Sequence, residues 1–341
     1  MKTMVMKNIS SERNKRNLGL EIFRMLLCFW VVLFHSINHS NNFILNYIVH
    51  KKFHVPCFFF ISFYFFSPTI RERNSFKMKL RLVRLFYPYL IWPLIIWCFN
   101  NLLYLIIAKN RFGRFLSFKE LKLQLITGRM FIFQLWFIFN LLLLSLFFFI
   151  ISYLRKNILI IFLNLFLVIC YVTQHFISYY FLYTKFKDCI AHSIGHLIIS
   201  FPIAVTAFNL NKINLIKYFE FQRNKSLFLI LLIVLLIFFF GAPSTYNGID
   251  KNLFSLFSFY LFYLIPLNKY FGHNFKNFIY LITNFTQGIY CLHVIVKFYL
   301  FRLFKLTPTF FSCVYIYLIS YILSFFGFKI CKGNKMKYLF I

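Results

Sequence analysis

Apolar runs of about 15–25 residues recur from one end of the chain to the other, separated by short polar segments that are mostly basic. A run of about 20 apolar residues can cross a bilayer as a helix, and a helix satisfies its own backbone in lipid. The pattern therefore predicts an all-α fold, a polytopic membrane helix bundle with about ten transmembrane helices. The spans fall at 18–38, 53–68, 85–107, 131–151, 157–173, 191–208, 226–240, 253–267, 280–301 and 310–328. Pro88 and Pro93 interrupt the third, which a membrane helix tolerates with a kink. Residues 1–17 and 329–341 read as basic cytoplasmic tails, 71–84 as the most basic loop and 108–130 as a longer basic one. A single transmembrane domain, 18–328, is expected, with no soluble domain appended. The first run is long, charged and without a small-residue cleavage site, which argues against a cleavable signal peptide. Neither a short repeat nor an inverted symmetry is visible.

Composition sharpens this picture. The 341 residues are 61% hydrophobic, above the roughly half of a soluble domain. The net charge of +31 invites a nucleic-acid reading, but the basic residues are scattered through many short loops, so no nucleic-acid partner is expected. Contact with anionic membrane lipids and orientation by the positive-inside rule account for them. Segments assigned to the inside carry more Lys and Arg than those outside, which predicts both termini in the cytoplasm; the 109–129 loop runs against the trend. The eight cysteines form no CxxC pair and suggest neither a zinc site nor a disulfide framework.

The candidate chemistry starts in the first run, LGLEIFRMLLCFWVVLFHSI, which carries Glu21, Arg24 and His35. Ionisable groups inside a span are costly and mark function. Arg24 and His35 are eleven residues apart, which places them on one helix face about 16 Å apart along the axis. Glu21 stands at the i, i+3 spacing where opposite charges meet, so Arg24 also fits a structural pair with Glu21. Histidines at i, i+4, such as His192 and His196, have the spacing of helical metal ligands, but no matching third ligand is evident except Cys189 near His192, and no metal is expected.

These residues resemble the first-helix signature of the integral-membrane acyltransferase family three, with Glu21 where the family's usual acid is Asp. HVPCFFFISFYFF at 54–66 is similar to the family's V-P-x-F-F-x-x-S-G-Y segment, giving Pro56, Phe59 and Ser62, with Phe63 where Gly is usual. RLVRLFYPY at 81–89 resembles its R-x-x-R segment, giving Arg81 and Arg84. QLWFI at 134–138 resembles L-W-F-L, giving Trp136, and GIYCLH at 288–293 resembles G-I-Y-L-x-H, giving Tyr290 and His293. The matches run in the family's order.

The resemblance implies transfer of an acyl group, acetyl being expected, from cytoplasmic acyl-CoA, a cosubstrate and not a bound cofactor. The implied acceptor is a hydroxyl of a cell-surface glycan or its lipid-linked precursor, at a bacterial cytoplasmic membrane. Such chemistry needs a base and a group that steadies the oxyanion. His35 is the candidate base, having the side chain that titrates nearest neutrality. Arg24 and the i, i+3 pair Arg81 and Arg84 are the candidate donor grips, since a guanidinium suits bidentate anion contact. Glu21 would orient Arg24. Ser62, Trp136, Tyr290 and His293 are candidate substrate contacts, and helix packing explains each equally well. Intramembrane charge also fits a transporter or flippase of an envelope precursor, the competing expectation.

Overall fold

The computed structural model describes residues 17–37, 54–106, 115–128, 135–154, 163–169, 189–213, 248–265, 267–304, 309–333 and 335–340. Helix α1 (Leu18–Ser36) begins where the polar leader gives way to apolar sequence, and Asn17 caps it by accepting from the Leu20 amide. Helices α2 (His54–Arg71), α3 (Ser75–Ile106), α4 (Phe118–Thr127), α5 (Leu135–Ile151) and α6 (Cys189–Ile213) follow. Then come α7 (Gly248–Leu264), the single turn α8 (Leu267–Tyr270), α9 (His273–Thr283), α10 (Thr286–Phe304) and α11 (Phe310–Cys331). A 3-10 turn, Lys335–Leu339, closes the described chain. Residues 163–169 are also helical, and no strand occurs among the described residues.

Three of these helices are long and apolar enough to cross a membrane: Leu18–Ser36, Ser75–Leu102 and Phe310–Cys331. Helices α9 and α10 qualify together, broken by a bend of 56°. The outer faces of α3 and α11 expose Phe99, Leu102, Leu105, Phe311, Leu318 and Phe326, a lipid-facing surface and not a watery one. The chain is thus an integral membrane protein, helical throughout its regular structure among the described residues. The span expected at 226–240 lies outside the described residues, and of 157–173 only 163–169 is described.

Two boundaries differ from the sequence expectation. The stretch 75–84, expected as loop, is the first part of α3, because Lys, Leu and Arg are good helix formers and no turn residue follows Asn74. The ninth span is expected to be continuous from 280, whereas the chain bends at Asn284–Phe285 between two helices.

α1 is central and packs against α2, α7, α9, α10 and α11. Its start is pinned on α7: Asn17 Nδ2 donates to the Tyr263 carbonyl at 2.8 Å, and Phe23 stacks on Phe262. A Cβ on Gly19 would lie 1.9 Å from the Phe262 carbonyl oxygen, so this contact admits no side chain. α2 forms the other hub. Ser67 donates to the Phe208 carbonyl on α6, and Phe60 and Tyr64 pack on Phe259 of α7. Phe63, in the family's Gly position, is fully buried against Phe66 and Phe148, so this core is filled by an aromatic ring where the family pattern would leave space.

Candidate active site

The face of α1 that carries Arg24 and His35 is turned to α10. Arg24 Nη1 donates to Glu21 Oε2 at 3.2 Å, and Arg24 Nη2 donates to Thr286 Oγ1, also at 3.2 Å. Glu21 is buried and Arg24 is half-buried. Thr286 passes the contact on, its hydroxyl donating to the Thr283 carbonyl at 3.0 Å. The guanidinium is thereby held on the first residue of α10, beside the helix bend.

Further along α1, the His35 and His293 rings lie 5.4 Å apart, centre to centre. His293 is fully buried, and its Nδ1 is 3.2 Å from the Ile289 carbonyl. A carbonyl can only accept, so Nδ1 carries the proton and Nε2 of the neutral ring keeps its lone pair. That Nε2 is buried with no hydrogen-bond partner among the described residues. Lys297 Nζ donates to the backbone carbonyl of His35, a bond that caps the last turn of α1.

Arg24 with Thr286 and His35 with Lys297 are each 262 residues apart. A constant offset means α1 and α10 run parallel and in register. Thr286, Tyr290, His293 and Lys297 recur at steps of four, three and four, so they share the α10 face that meets α1. Tyr290 is buried, 6.0 Å from His293 and 5.2 Å from Phe137 of α5. Lys297 was not among the sequence candidates; its spacing from Thr286 and His293 is the signal that marks it.

The two α3 arginines part company. Arg81 turns between α2 and α5, where Nε donates to Ser145 Oγ at 2.9 Å and Nη2 to Ser62 Oγ at 2.8 Å. Its guanidinium lies over the Phe66 ring at 4.0 Å and the Phe63 ring at 5.4 Å. Ser62 is therefore occupied by Arg81. Arg84 is exposed and sits over the Tyr338 ring at 5.8 Å, while its carbonyl accepts from Gln287 Nε2 at 3.1 Å. The structure brings Arg84 to the start of α10, one residue from the Thr286 that holds Arg24. It does not bring Arg81 there.

Trp136 stacks on His196 of α6, ring centres 3.9 Å apart, and lies off the α1–α10 seam. Asn140, fully buried one turn further along α5, has neither amide atom hydrogen-bonded among the described residues. Its lone polar position in LWFIFNLLLL is the only sequence signal for it. No group of three or more His, Cys, Asp or Glu able to hold a metal occurs among the described residues. Cys28, Cys57, Cys98, Cys291, Cys313 and Cys331 are free thiols.

A membrane helix bundle with a cation, two imidazoles and a lysine along one internal seam is the class of protein these observations define. The family model for an acyltransferase domain, that of the acyltransferase 3 family, matches residues 17–328. The chain belongs to that family of membrane acyltransferases. Neither curated proteins nor solved structures give a match.

Proposed function

We propose that the protein transfers an acetyl group from cytoplasmic acetyl-CoA to a hydroxyl of a cell-surface glycan or its lipid-linked precursor, at a bacterial cytoplasmic membrane. The observation that carries the reading is the α1–α10 seam, with Arg24 on Thr286 at one end and His35 beside His293 at the other. The imidazole of His35 takes the acceptor's hydroxyl proton as its oxygen attacks the thioester carbonyl. The C–S bond then breaks, the ester forms, and the CoA thiolate leaves with that proton. Arg24, oriented by Glu21, and Arg84 bind the anionic donor at the α10 start. Arg81 contributes charge from deeper in the α2–α5 cleft. His293 and Tyr290 wall the reacting end, while Ser62 and Trp136 shape the site through Arg81 and His196.

Helix direction supports the ten-span, N-in and C-in reading. α2, α5, α6 and α7 run one way: Arg81 bridges Ser62 and Ser145, Phe63 meets Phe148, Ser67 meets Phe208, and Cys57 meets Ser255. α1 runs against them, starting at the end of α7 and ending by His54 at the start of α2. α3 and α10 run with α1, and α11 runs back, since Phe285 meets Tyr321 and Phe328. Among the described spans whose direction these contacts give, odd and even thus alternate.

Membranes given radiolabelled acetyl-CoA and envelope glycan should transfer label with the wild type and lose transfer with His35→Ala. Equal label in both removes His35 from the mechanism. The bent α9–α10 pair also suits a flippase, since broken helices line transport paths. That reading gains if the wild type moves a lipid-linked glycan across vesicles without consuming acetyl-CoA.

A further inference from the structure

The chain beyond the family match does not end at α11. Residues 335–340 turn back and seat themselves between α3, α10 and α11. Leu339 is buried, and its carbonyl accepts from Trp92 Nε1 at 3.3 Å. Phe340 meets the Trp92 ring edge-on at 5.9 Å. Two glycines make room for it. A Cβ on Gly288 would stand 2.6 Å from the Phe340 carbonyl oxygen, and one on Gly327 would stand 2.4 Å from its ring. Burial, a hydrogen bond and a cradle of two glycines make this a built seat.

What the seat presents is Lys337 and Tyr338, both half-buried. Two cations lie near the Tyr338 ring, Arg84 at 5.8 Å and Lys337 at 5.3 Å from its centre. Arg84 is joined to Gln287 by its carbonyl, next to the Thr286 that holds Arg24. The segment therefore lies at the same end of the seam as the arginines assigned to the donor. An aromatic ring with two cations beside it suits a purine nucleotide bearing phosphates: the base stacks on the ring and the phosphates meet the cations.

Resting on the acyl-CoA reading above, we propose that residues 335–340 are part of the donor site, with Tyr338 as the platform for the adenine of acyl-CoA and Lys337 and Arg84 as contacts for its phosphates. The four residues 337–340 divide the labour. Leu339 and Phe340 anchor, and Lys337 and Tyr338 bind. The segment lies outside residues 17–328, the stretch that the family model matches.

The test uses the full-length protein in lipid nanodiscs and equilibrium binding of radiolabelled acetyl-CoA, with S-acetylpantetheine, which lacks the nucleotide, as competitor. Tyr338→Ala should weaken acetyl-CoA about tenfold, the loss expected when a base gives up an aromatic partner, and leave S-acetylpantetheine unchanged. Tyr338→Phe should keep wild-type binding, which also controls for folding. Phe340→Ala, which unseats the segment, should mimic Tyr338→Ala. Unchanged acetyl-CoA binding in a folded Tyr338→Ala overturns the proposal alone. Tighter binding or faster turnover in Phe340→Ala also overturns it, since the segment would then be an obstruction. No binding of acetyl-CoA by the wild type overturns the acyl-CoA reading itself.

Discussion

Lys297 shows how one side chain sets the position of another. Its ammonium donates to the carbonyl of His35, at the end of a helix whose last carbonyls have no partner within the helix. The bond fixes the height of His35 against His293. Lys297→Met removes a charged donor from that carbonyl, a loss of about 1.5–3 kcal/mol for hydrogen bonds of this kind. The expected result is a fall in kcat with little change in the KM for acyl-CoA, because the arginines we assign to the donor lie at the other end of the seam. Lys297→Arg should recover part of the rate. A kcat equal to wild type in Lys297→Met would show that His35 needs no such support. Gly19 acts at the opposite end of α1. A methyl there collides with the Phe262 carbonyl, which is backbone and cannot rotate away. Gly19→Ala should cost about 1–3 kcal/mol, as overpacking does, and lower the melting temperature of the detergent-purified protein.

At the scale of elements, the α1–α10 pair behaves as a unit. Arg24 reaches Thr286 through one guanidinium nitrogen while holding Glu21 with another, a fork that Lys cannot reproduce. Arg24→Lys and Thr286→Val should therefore each weaken donor use, and the double variant should be no worse than Arg24→Lys alone. Strict additivity in the free energies from kcat/KM would show that the two residues act separately. The first half of this unit is legible in the sequence, because Glu21, Arg24 and His35 break an otherwise apolar run at spacings a helix converts into one face. The second half is harder to read. Tyr290 and His293 stand out only through a motif, and Lys297 looks like a basic residue near a span's end. The α9–α10 bend carries no Pro or Gly at Asn284–Phe285, so nothing local announces it. The seat of residues 335–340 depends on Gly288 and Gly327, two positions that in sequence are merely small residues in apolar helices. Arg81 and Arg84 share a predicted face, yet a difference of three residues is about 60° short of a full turn. That is enough for one to enter the α2–α5 cleft and the other to reach α10.

For the whole molecule, the seam has two chemically distinct ends, and the helix directions set which helix ends gather at each. The starts of α1, α3 and α10 and the end of α11 converge where Arg24, Arg84, Gln287 and Phe340 meet. An anionic donor made in the cytoplasm can reach these arginines only if that shared end faces inward. The charge distribution agrees, since cytoplasmic segments attract Lys and Arg and the stretch from Arg71 to Arg84 joins this end. Three single-cysteine substitutions at exposed positions separate the two orientations. Lys77→Cys, in the first turn of α3, and Gly333→Cys, beyond α11 with nothing within 4 Å, belong to the inward end. Lys119→Cys, in α4, belongs to the other, because Leu116 at the start of α4 packs against Trp97 and Asn101 near the far end of α3. An impermeant maleimide should modify Lys119→Cys in intact spheroplasts and the other two only in inverted vesicles. Each is made in a chain whose native cysteines, the exposed Cys98 and the half-buried Cys331 among them, are replaced by Ser, with that cysteine-free chain as the blank. Modification of Lys77→Cys and Gly333→Cys from outside would place the donor arginines away from the acyl-CoA pool. His35 would then lie at the cytoplasmic end, and the direction of transfer would have to be reversed.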